Sequence, residues 1–297
     1  MRIVVIGANS YIARNMVYMI QHYHNKDELK LYDYHEKQTY GFGAYTQINI
    51  LDKDSVKQID MNCDIIFMFV GKTGSANGFD EYDTFIDINE RSLLNVLNEY
   101  RRQQSKARII FPSTRLVYSG LKGPQKEDAP KEAKTIYAIN KIACEKYLEM
   151  YHRVYDVQYS ICRICIPYGT LIPGASSYGT AEFFLGKAKK GEAITLYGDG
   201  TQRRTLTYMG DLCKNLYEVA ISPDCKNDIY NIGGEDYSLL EMAKLIGQAY
   251  SVEICFIPWP EVALKIESGD TVFDSTKLES KITYRNQMTF AEWCKEQ

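Results

Sequence analysis

The chain has 297 residues, of which 45% are apolar and 25% are charged, a composition that excludes an intrinsically disordered protein. The net charge of −3 excludes an extensively basic surface, so no nucleic-acid partner is expected. No apolar run approaches the roughly 18 residues that a membrane helix needs. Met1 and Arg2 lead directly into an apolar run without a signal peptide. We therefore expect a cytoplasmic protein with no membrane partner.

Short apolar runs alternate with segments of helical period through the first half of the chain. Six runs predict strands that are buried on both faces: Arg2–Ile6, Leu29–Asp33, Tyr45–Ile48, Asp64–Val70, Ala107–Pro112 and Val157–Ile164. Between them, helices are predicted near Tyr11–His22, Ser55–Ile59, Thr84–Arg102 and Ile136–Tyr155. This alternation predicts an α/β fold with a doubly wound parallel sheet and helices on both faces.

The composition changes after residue 165, where glycine and proline become frequent. We therefore predict a larger α/β domain over residues 1–165 and a smaller lobe over residues 166–297. Within the lobe, Ser238-x-x-Glu241 and Thr289-x-x-Glu292 are capping boxes that predict helix starts. The apolar run Asp228–Ile232 predicts a strand that returns to the main sheet.

The first predicted strand is followed directly by Gly7-Ala8-Asn9-Ser10-Tyr11-Ile12-Ala13. Glycine permits a tight turn, and small residues at positions 10 and 13 permit close backbone approach and close packing of helix on strand. The N-terminus of the next helix would then point at a pyrophosphate. Because Ser10 stands where a glycine is usual, the segment taken alone is equally compatible with an ordinary strand–helix turn.

Asp33 ends the second predicted strand, 26 residues after Gly7. A carboxylate at this place accepts hydrogen bonds from the ribose hydroxyls of NAD and repels the 2′-phosphate of NADP. No arginine follows it immediately. The sequence therefore favours NAD over NADP, and the alternative is a solvated aspartate at the end of a strand.

Tyr137-x-x-x-Lys141 places a phenol and an amine on one face of a predicted helix. A nearby ammonium lowers the pKa of a phenol and makes it a usable acid or base near neutral pH. With 24 tyrosines in the chain, this spacing also arises by chance, so its position is decisive. It comes 23 residues after Thr114. A hydroxyl at the end of that strand lies beside the crevice where open α/β sheets bind ligands.

Together these motifs resemble the extended short-chain dehydrogenase/reductase family, in its NAD-dependent nucleotide-sugar epimerase/dehydratase branch. The residues that carry the resemblance are Gly7–Ala13, Asp33, Asn89, Ser113–Tyr118, Tyr137-x-x-x-Lys141, Arg163, Tyr168-Gly169, Tyr197–Arg204 and Asp211-Leu212. They occur in order over nearly the whole chain. The segment Tyr197–Arg204 is the most specific, because it is typical of nucleotide-sugar enzymes rather than of the wider superfamily.

The resemblance implies that residues 1–165 form a dinucleotide-binding domain with a Rossmann-type sheet, and that residues 166–297 form mainly a smaller α/β C-terminal substrate-binding lobe. It also implies an NAD cofactor and a nucleotide-sugar substrate. It implies that Thr114 holds the sugar oxygen, Tyr137 exchanges the proton, and Lys141 holds the nicotinamide ribose and tunes the phenol. The implied cofactor contacts are Gly7, Ser10, Tyr11, Ile12, Asp33, Asn49, Ile50, Phe69, Val70, Gly71, Asn89, Tyr137 and Lys141. The implied substrate contacts are Thr114, Arg115, Ile166, Tyr168 and Arg204, of which the last would grip the diphosphate.

Two departures from the family pattern bear on the reaction. Dehydratase members carry an Asp-Glu pair directly after the catalytic hydroxyl, where this chain has Arg115 and Leu116. Without those carboxylates, dehydration is not expected. Ile166 stands where the family has an asparagine that binds the substrate, so an atypical sugar is predicted.

The function predicted from this resemblance is 4-epimerisation of a nucleotide sugar through a transient 4-keto intermediate. The alternatives are a nucleotide-sugar 4-reductase or dehydrogenase with net cofactor turnover, and a dinucleotide-sensing protein without catalysis. The resemblance also implies a homodimer built from the helices near Thr84–Arg102 and Ile136–Tyr155. No metal site is predicted, because the four histidines share no motif.

Overall fold

The computed structural model describes residues 1–40 and 42–297. Its strands are, in chain order, β1 (Arg2–Ile6), β2 (Glu28–Asp33), β3 (Ala44–Gln47), β4 (Ile65–Met68), β5 (Arg108–Thr114), β6 (Pro124–Gln125), β7 (Gln158–Ile164), β8 (Ile166–Tyr168), β9 (Ile194–Tyr197), β10 (Arg203–Tyr208), β11 (Asp228–Asn231), β12 (Glu235–Ser238), β13 (Ile254–Ile257) and β14 (Val272–Phe273). Its α-helices are α1 (Tyr11–Tyr23), α2 (Lys53–Val56), α3 (Tyr82–Ile86), α4 (Ser92–Arg102), α5 (Ile136–Tyr155), α6 (Thr180–Lys189), α7 (Met209–Ile221), α8 (Leu239–Tyr250), α9 (Glu261–Lys265), α10 (Thr276–Glu279) and α11 (Phe290–Lys295).

Seven parallel strands form the main sheet in the order β11-β7-β5-β4-β1-β2-β3. The predicted α/β class with a doubly wound parallel sheet is therefore confirmed. The chain order reverses at β1, which has β2 on one side and β4 on the other. In such a sheet, a crevice opens beyond the carboxyl ends of the strands at the reversal, and ligands bind there.

Both faces of the sheet are covered by apolar helix faces. On one face, α1 and α7 bury side chains against β1, β4 and β5, among them Met16, Ile20, Leu212, Leu216, Val5, Phe67 and Ile110. On the other face, α2, α4 and α5 contribute Val56, Leu93, Val96, Leu97 and Leu148, which pack on Val4, Ile66 and Ile109. Burial on both faces explains why these strands are continuously apolar rather than alternating.

The smaller lobe is built around short sheets. One has the strand order β12-β10-β8, and β13 pairs with β9. Helices α6, α8 and α11 pack on them around a core that includes Phe184, Leu196, Met242, Ile246, Phe290 and Trp293. The two capping boxes predicted from the sequence, at Ser238 and Thr289, start α8 and α11.

The predicted helix Thr84–Arg102 is not continuous. Helix α3 begins at Tyr82, and a π-helical turn over Asp87–Arg91 separates it from α4. A π-turn inserts one residue into the helix and shifts the apolar positions that follow it, which matches the five-residue step from Ile88 to Leu93 in the sequence. Among the described residues, no helix combines the length and the apolar character needed to cross a bilayer.

Candidate active site

A cavity of about 570 Å³ opens at the carboxyl edge of the main sheet, between the sheet and the smaller lobe. It is lined by the end of β5, the start of α5 and the loops that follow β1, β4 and β7. Eleven of the residues predicted to contact cofactor or substrate line it: Ser10, Tyr11, Ile12, Phe69, Val70, Gly71, Thr114, Arg115, Tyr137, Lys141 and Ile166. The structure therefore brings together residues that are far apart in the chain.

Gly7 makes the turn between β1 and α1. Its φ is +83°, a conformation that L side chains rarely adopt. A Cβ at this position would lie 2.7 Å from the backbone nitrogen of Val70, so the turn can approach β4 only because the residue is glycine. Helix α1 starts after Ser10 and aims its unpaired N–H groups along the crevice. This cradle fits a pyrophosphate.

Asp33 lies at the carboxyl end of β2, beside the Gly7 turn, and is 8% exposed. Its carboxylate accepts hydrogen bonds from the backbone N–H of Asn9 at 2.9 Å and from that of His35 at 3.1 Å. The His35 ring nitrogen lies 2.7 Å from the same carboxylate. These contacts hold the carboxylate at the place where the sequence predicts a ribose. Asp33 therefore fits a dinucleotide that binds along the carboxyl edge of the sheet.

Asn89 lies in the π-helical turn and is 3% exposed. Its side-chain oxygen accepts from the Lys72 N–H at 2.9 Å, and its side-chain nitrogen donates to the Lys72 carbonyl at 3.1 Å. These two hydrogen bonds therefore fix the loop that follows β4 and contains Gly71. A Cβ at Gly71 would lie 3.3 Å from the Asn89 oxygen and 3.8 Å from the Lys141 ammonium, so this loop passes close to both.

Thr114 and Tyr137 face each other across the cavity. Thr114 is the last residue of β5, and its hydroxyl oxygen caps the 3₁₀ turn Arg115–Val117 by accepting from the Leu116 N–H at 3.3 Å. Tyr137 lies in the first turn of α5 and lines the cavity with Thr114. Burial raises the pKa of Tyr137 to about 12, and the polar Thr114 side chain nearby opposes this rise only in part. In this structure burial therefore outweighs the lowering of the pKa that is expected from the sequence.

Lys141 lies one helical turn beyond Tyr137, with its ammonium 5.8 Å from the centre of the phenol ring. The ammonium donates to the Pro112 carbonyl at 2.7 Å and lies 4.4 Å from the centre of the Phe111 ring. Burial lowers the pKa of Lys141 to about 8, because a cation is poorly solvated there. The amine thus joins α5 to β5 and adjoins both the phenol and the Gly71 loop.

Glu145 and Arg163 form a buried ion pair beneath these groups. Two guanidinium nitrogens of Arg163 donate to the Glu145 carboxylate at 3.0 and 2.7 Å, and both side chains are at most 3% exposed. The Ser113 hydroxyl donates to the same carboxylate at 2.5 Å. Sequence reasoning missed Glu145, although its position four residues after Lys141 places it on the same side of α5.

Arg115 lines the cavity next to Thr114. One guanidinium nitrogen donates to the hydroxyls of Ser268 at 2.8 Å and Thr271 at 3.3 Å. Burial lowers the pKa of Arg115 to about 10, and the neighbouring charge of Arg204 adds to this effect. No sequence signal reveals Ser268 and Thr271, because they come from a loop that is distant in the chain.

Tyr168, an expected substrate contact, does not line the cavity. Its side chain is fully buried in the core of the smaller lobe. The ring packs edge-on against Phe290 at 5.0 Å and Trp293 at 5.2 Å, and its hydroxyl donates to the Met288 carbonyl at 3.3 Å. The tyrosine in the Tyr-Gly segment thus stabilises the lobe.

Six further predicted contacts lie outside the cavity lining, namely Gly7, Asp33 and Asn89, described above, and Arg204, Asn49 and Ile50. Arg204 is 1% exposed and donates to Glu267 at 2.6 Å and to the Arg203 carbonyl at 2.9 Å. The Arg204 guanidinium is therefore paired with Glu267, a partner that no sequence pattern predicts. Asn49 and Ile50 follow β3 at the same edge of the sheet as Asp33, beyond the cavity.

The comparisons with known proteins agree with this architecture. A family model described as "NAD dependent epimerase/dehydratase family" matches residues 3–233. The chain is 28% identical over 209 residues to a putative UDP-glucose 4-epimerase of Methanocaldococcus jannaschii, a match that covers 68% of this chain and 66% of that protein. It is 29% identical over 238 residues to the UDP-N-acetyl-alpha-D-glucosaminuronate decarboxylase of Bacillus cytotoxicus, covering 77% of this chain and 73% of the relative.

Among solved structures, the UDP-glucose 4-epimerase of Thermus thermophilus in complex with NAD has the same fold. The TM-score is 0.86 at 21% sequence identity, over 99% of this chain and 97% of that one. The curated relatives are matched over about two thirds of their own length. The reaction and substrate of this chain therefore have to be argued from its own residues.

Proposed function

The chain belongs to the NAD-dependent epimerase/dehydratase family, and from this premise we propose that it is a nucleotide-sugar 4-epimerase. The observation that carries the proposal is the meeting of Thr114, Tyr137 and Lys141 in one cavity at the carboxyl edge of the sheet. A hydroxyl, a phenol and an amine in this arrangement are suited to moving a proton to and from a sugar oxygen.

The residues along the crevice fit an NAD cofactor. Gly7 and the N-terminus of α1 would hold its pyrophosphate, and Asp33 would accept hydrogen bonds from the adenosine ribose. Asn49 and Ile50 would lie at the adenine, and Phe69–Gly71 along the inner side. Bound NAD supplies the hydride acceptor and donor for the sugar carbon. The carboxylate of Asp33 would disfavour the 2′-phosphate of NADP.

Tyr137 is proposed to exchange the proton of the sugar 4-hydroxyl. The Thr114 hydroxyl, already positioned by its capping bond, holds the same oxygen and keeps it within reach of the phenol. Because the phenol has a pKa of about 12 in the structure, it is protonated at neutral pH and ready to donate to a 4-keto oxygen. To accept a proton it needs a neighbouring positive charge, which Lys141 supplies.

We propose that the protein does not dehydrate its substrate. Elimination of water from a sugar needs an acid and a base close to the reacting carbons. In the described ranges of the chain, no aspartate or glutamate lines the cavity, and Arg115 and Leu116 directly follow Thr114. The cavity therefore offers the groups for proton exchange at one oxygen and lacks carboxylates for elimination.

We also propose the homodimer that is expected from the sequence. On α5, Ile139, Met150 and Val154 are 50%, 43% and 60% exposed. Their spacing places them on one side of the helix, where a second copy would cover them. Light scattering should give the mass of two chains, and V154R should shift it toward one.

The proposed reaction is tested by incubating the NAD-loaded protein with UDP-glucose and UDP-glucuronate and following products by NMR and NADH by absorbance. A 4-epimer should form while NADH does not accumulate. NADH released in proportion to converted sugar would indicate a dehydrogenase instead. A product lighter by one water would show that the protein is a dehydratase.

A further inference from the structure

We propose that Arg115 binds a carboxylate on the sugar, so that the substrate is a nucleotide-activated uronic acid. This inference rests on the proposed function and deepens it. It concerns which nucleotide sugar the site selects, and it leaves the proposed proton exchange unchanged. Three observations support it, all made on the described residues: the position of Arg115, its lack of a carboxylate hydrogen-bond partner, and the absence of carboxylates from the cavity lining.

The position of Arg115 is set by the backbone. It directly follows Thr114, and the capped 3₁₀ turn Arg115–Val117 holds the two residues together. Both side chains line the same cavity. If Thr114 holds the oxygen of the reacting sugar carbon, the Arg115 guanidinium lies close to the substituents of the same sugar ring.

Among the described residues, the carboxylate that acts on Arg115 is that of Glu267, but its hydrogen bond goes to Arg204. The hydrogen-bond acceptors of Arg115 are the neutral hydroxyls of Ser268 and Thr271, and both bond to a single guanidinium nitrogen. No carboxylate accepts from it within the part of the chain that the structure describes. The two nearby buried arginines differ, because Arg163 pairs with Glu145 at 2.7 Å and Arg204 pairs with Glu267 at 2.6 Å.

The cavity as a whole favours an anion. Its only charged side chains, among the residues described, are Arg115 and Lys141. Lys141 already donates to the Pro112 carbonyl and adjoins the Gly71 loop, on the proposed cofactor side. Arg115 is therefore the cation that remains for the substrate. Burial lowers the pKa of Arg115 to about 10, and a bound anion would relieve that unfavourable burial of charge.

A planar carboxylate matches the remaining donors of a guanidinium, which bind such groups in a bidentate manner. Ile166, which also lines the cavity, offers no side-chain hydrogen bond to a neutral sugar hydroxyl. The other anion in a sugar nucleotide is its diphosphate, and the experiment has to separate the two.

The experiment compares matched ligand pairs on the NAD-loaded protein by isothermal calorimetry. The probes are UDP-glucuronate, UDP-glucose and UDP, together with dTDP-glucuronate and dTDP-glucose. The proteins are the wild type, R115Q and the control R203Q. Arg203 lies in the smaller lobe and pairs with Asp236 and Glu241 outside the cavity, so R203Q removes the same charge without touching the site.

The wild type and R203Q should bind the glucuronate of one nucleotide about 10- to 100-fold more tightly than the matching glucose ester. R115Q should remove this preference and leave the affinity for UDP or dTDP-glucose within about threefold. Equal loss of affinity for UDP, UDP-glucose and UDP-glucuronate would show that Arg115 binds the diphosphate, which overturns the inference. Unchanged affinities in R115Q, or equal wild-type affinity for both sugars, would overturn it as well.

The inference and the proposed function fail in different ways. If glucuronate and glucose esters are epimerised and bound equally well, the proposed function stands and the carboxylate inference is wrong. If the glucuronate ester binds through Arg115 but is never epimerised, the inference stands and the proposed reaction is wrong. If no sugar nucleotide binds to the NAD-loaded protein, both are wrong.

Discussion

The Lys141 ammonium donates a hydrogen bond of 2.7 Å to the carbonyl oxygen of Pro112. This bond links the first turns of α5 to the end of β5, and so holds Tyr137 opposite Thr114. It also keeps a cation in a buried place, where its pKa is lowered to about 8 by loss of solvation. The hydrogen bond therefore fixes the geometry of the site, whereas the burial of the Lys141 charge lowers the free energy of unfolding.

The first prediction concerns that cost. The unfolded chain binds a proton at Lys141 up to about pH 10.5, whereas the folded chain releases it near pH 8. The contribution of Lys141 to stability should therefore rise with pH between these values. K141M should increase the free energy of unfolding of the cofactor-free protein by about 1–2 kcal/mol at pH 7, and abolish most of the activity.

Urea denaturation of both proteins from pH 7 to 10 checks this prediction. The stability difference between K141M and the wild type should shrink as the pH rises toward 10. A constant difference over that range would show that the folded protein does not suppress protonation of Lys141.

The second prediction concerns Tyr137. Y137F should lower the rate of sugar conversion by about 10²- to 10⁴-fold, because the phenol oxygen is the proposed proton carrier. NAD affinity should change little, since the phenyl ring remains. The matched control is Y147F on the same helix, whose hydroxyl donates to Glu90 at 2.9 Å outside the cavity. Turnover in Y137F equal to that of Y147F would contradict the assignment.

The third prediction concerns cofactor choice. D33N removes the negative charge at the end of β2 and should reduce the preference for NAD over NADP by about tenfold or more. The dissociation constants of both cofactors are measured by fluorescence titration. D60N serves as the control, because Asp60 pairs with Lys30 at 2.7 Å away from the Gly7 turn. A wild type that binds NADP as tightly as NAD would refute the role of Asp33.

The fourth prediction concerns the ion pair beneath the site. E145Q should leave the buried Arg163 charge without its partner and lower the free energy of unfolding by about 3–5 kcal/mol. E149Q is the matched control on the same helix, because its partner Lys146 is largely exposed, and it should cost less than about 1 kcal/mol. Equal losses in the two variants, measured by urea denaturation at pH 7, would contradict a structural role for the pair.

The main sheet could be predicted from the sequence because strands that are buried on both faces must be apolar throughout. The Gly7 turn could be predicted because the left-handed backbone there, with φ of +83°, requires glycine. The Tyr137 and Lys141 pair could be placed because a helix brings residues four positions apart to one side. Each of these inferences depends on local geometry, which a sequence pattern records directly.

The remaining features depend on contacts between distant segments. Glu267 accepts from Arg204 across 63 positions, and Ser268 accepts from Arg115 across 153. No spacing rule links such residues. The Tyr-Gly segment directly follows Ile166 and Pro167, which line the cavity, but the Tyr168 ring packs into the core of the lobe against residues that are distant in the chain. The π-helical turn that carries Asn89 leaves only a five-residue step between Ile88 and Leu93 in the sequence, which is too short a signal to predict the turn.

The most direct test of the account follows a deuterium atom at C4 of the sugar. The NAD-loaded protein is incubated in ordinary water with UDP-glucuronate, and separately UDP-glucose, each labelled at C4, and the products are analysed by NMR and mass spectrometry. The account predicts a 4-epimer that keeps the deuterium at C4, formed by the wild type and lost in Y137F. Epimer that has exchanged the label with water, or wild-type protein that leaves C4 unchanged in both sugars, would contradict it.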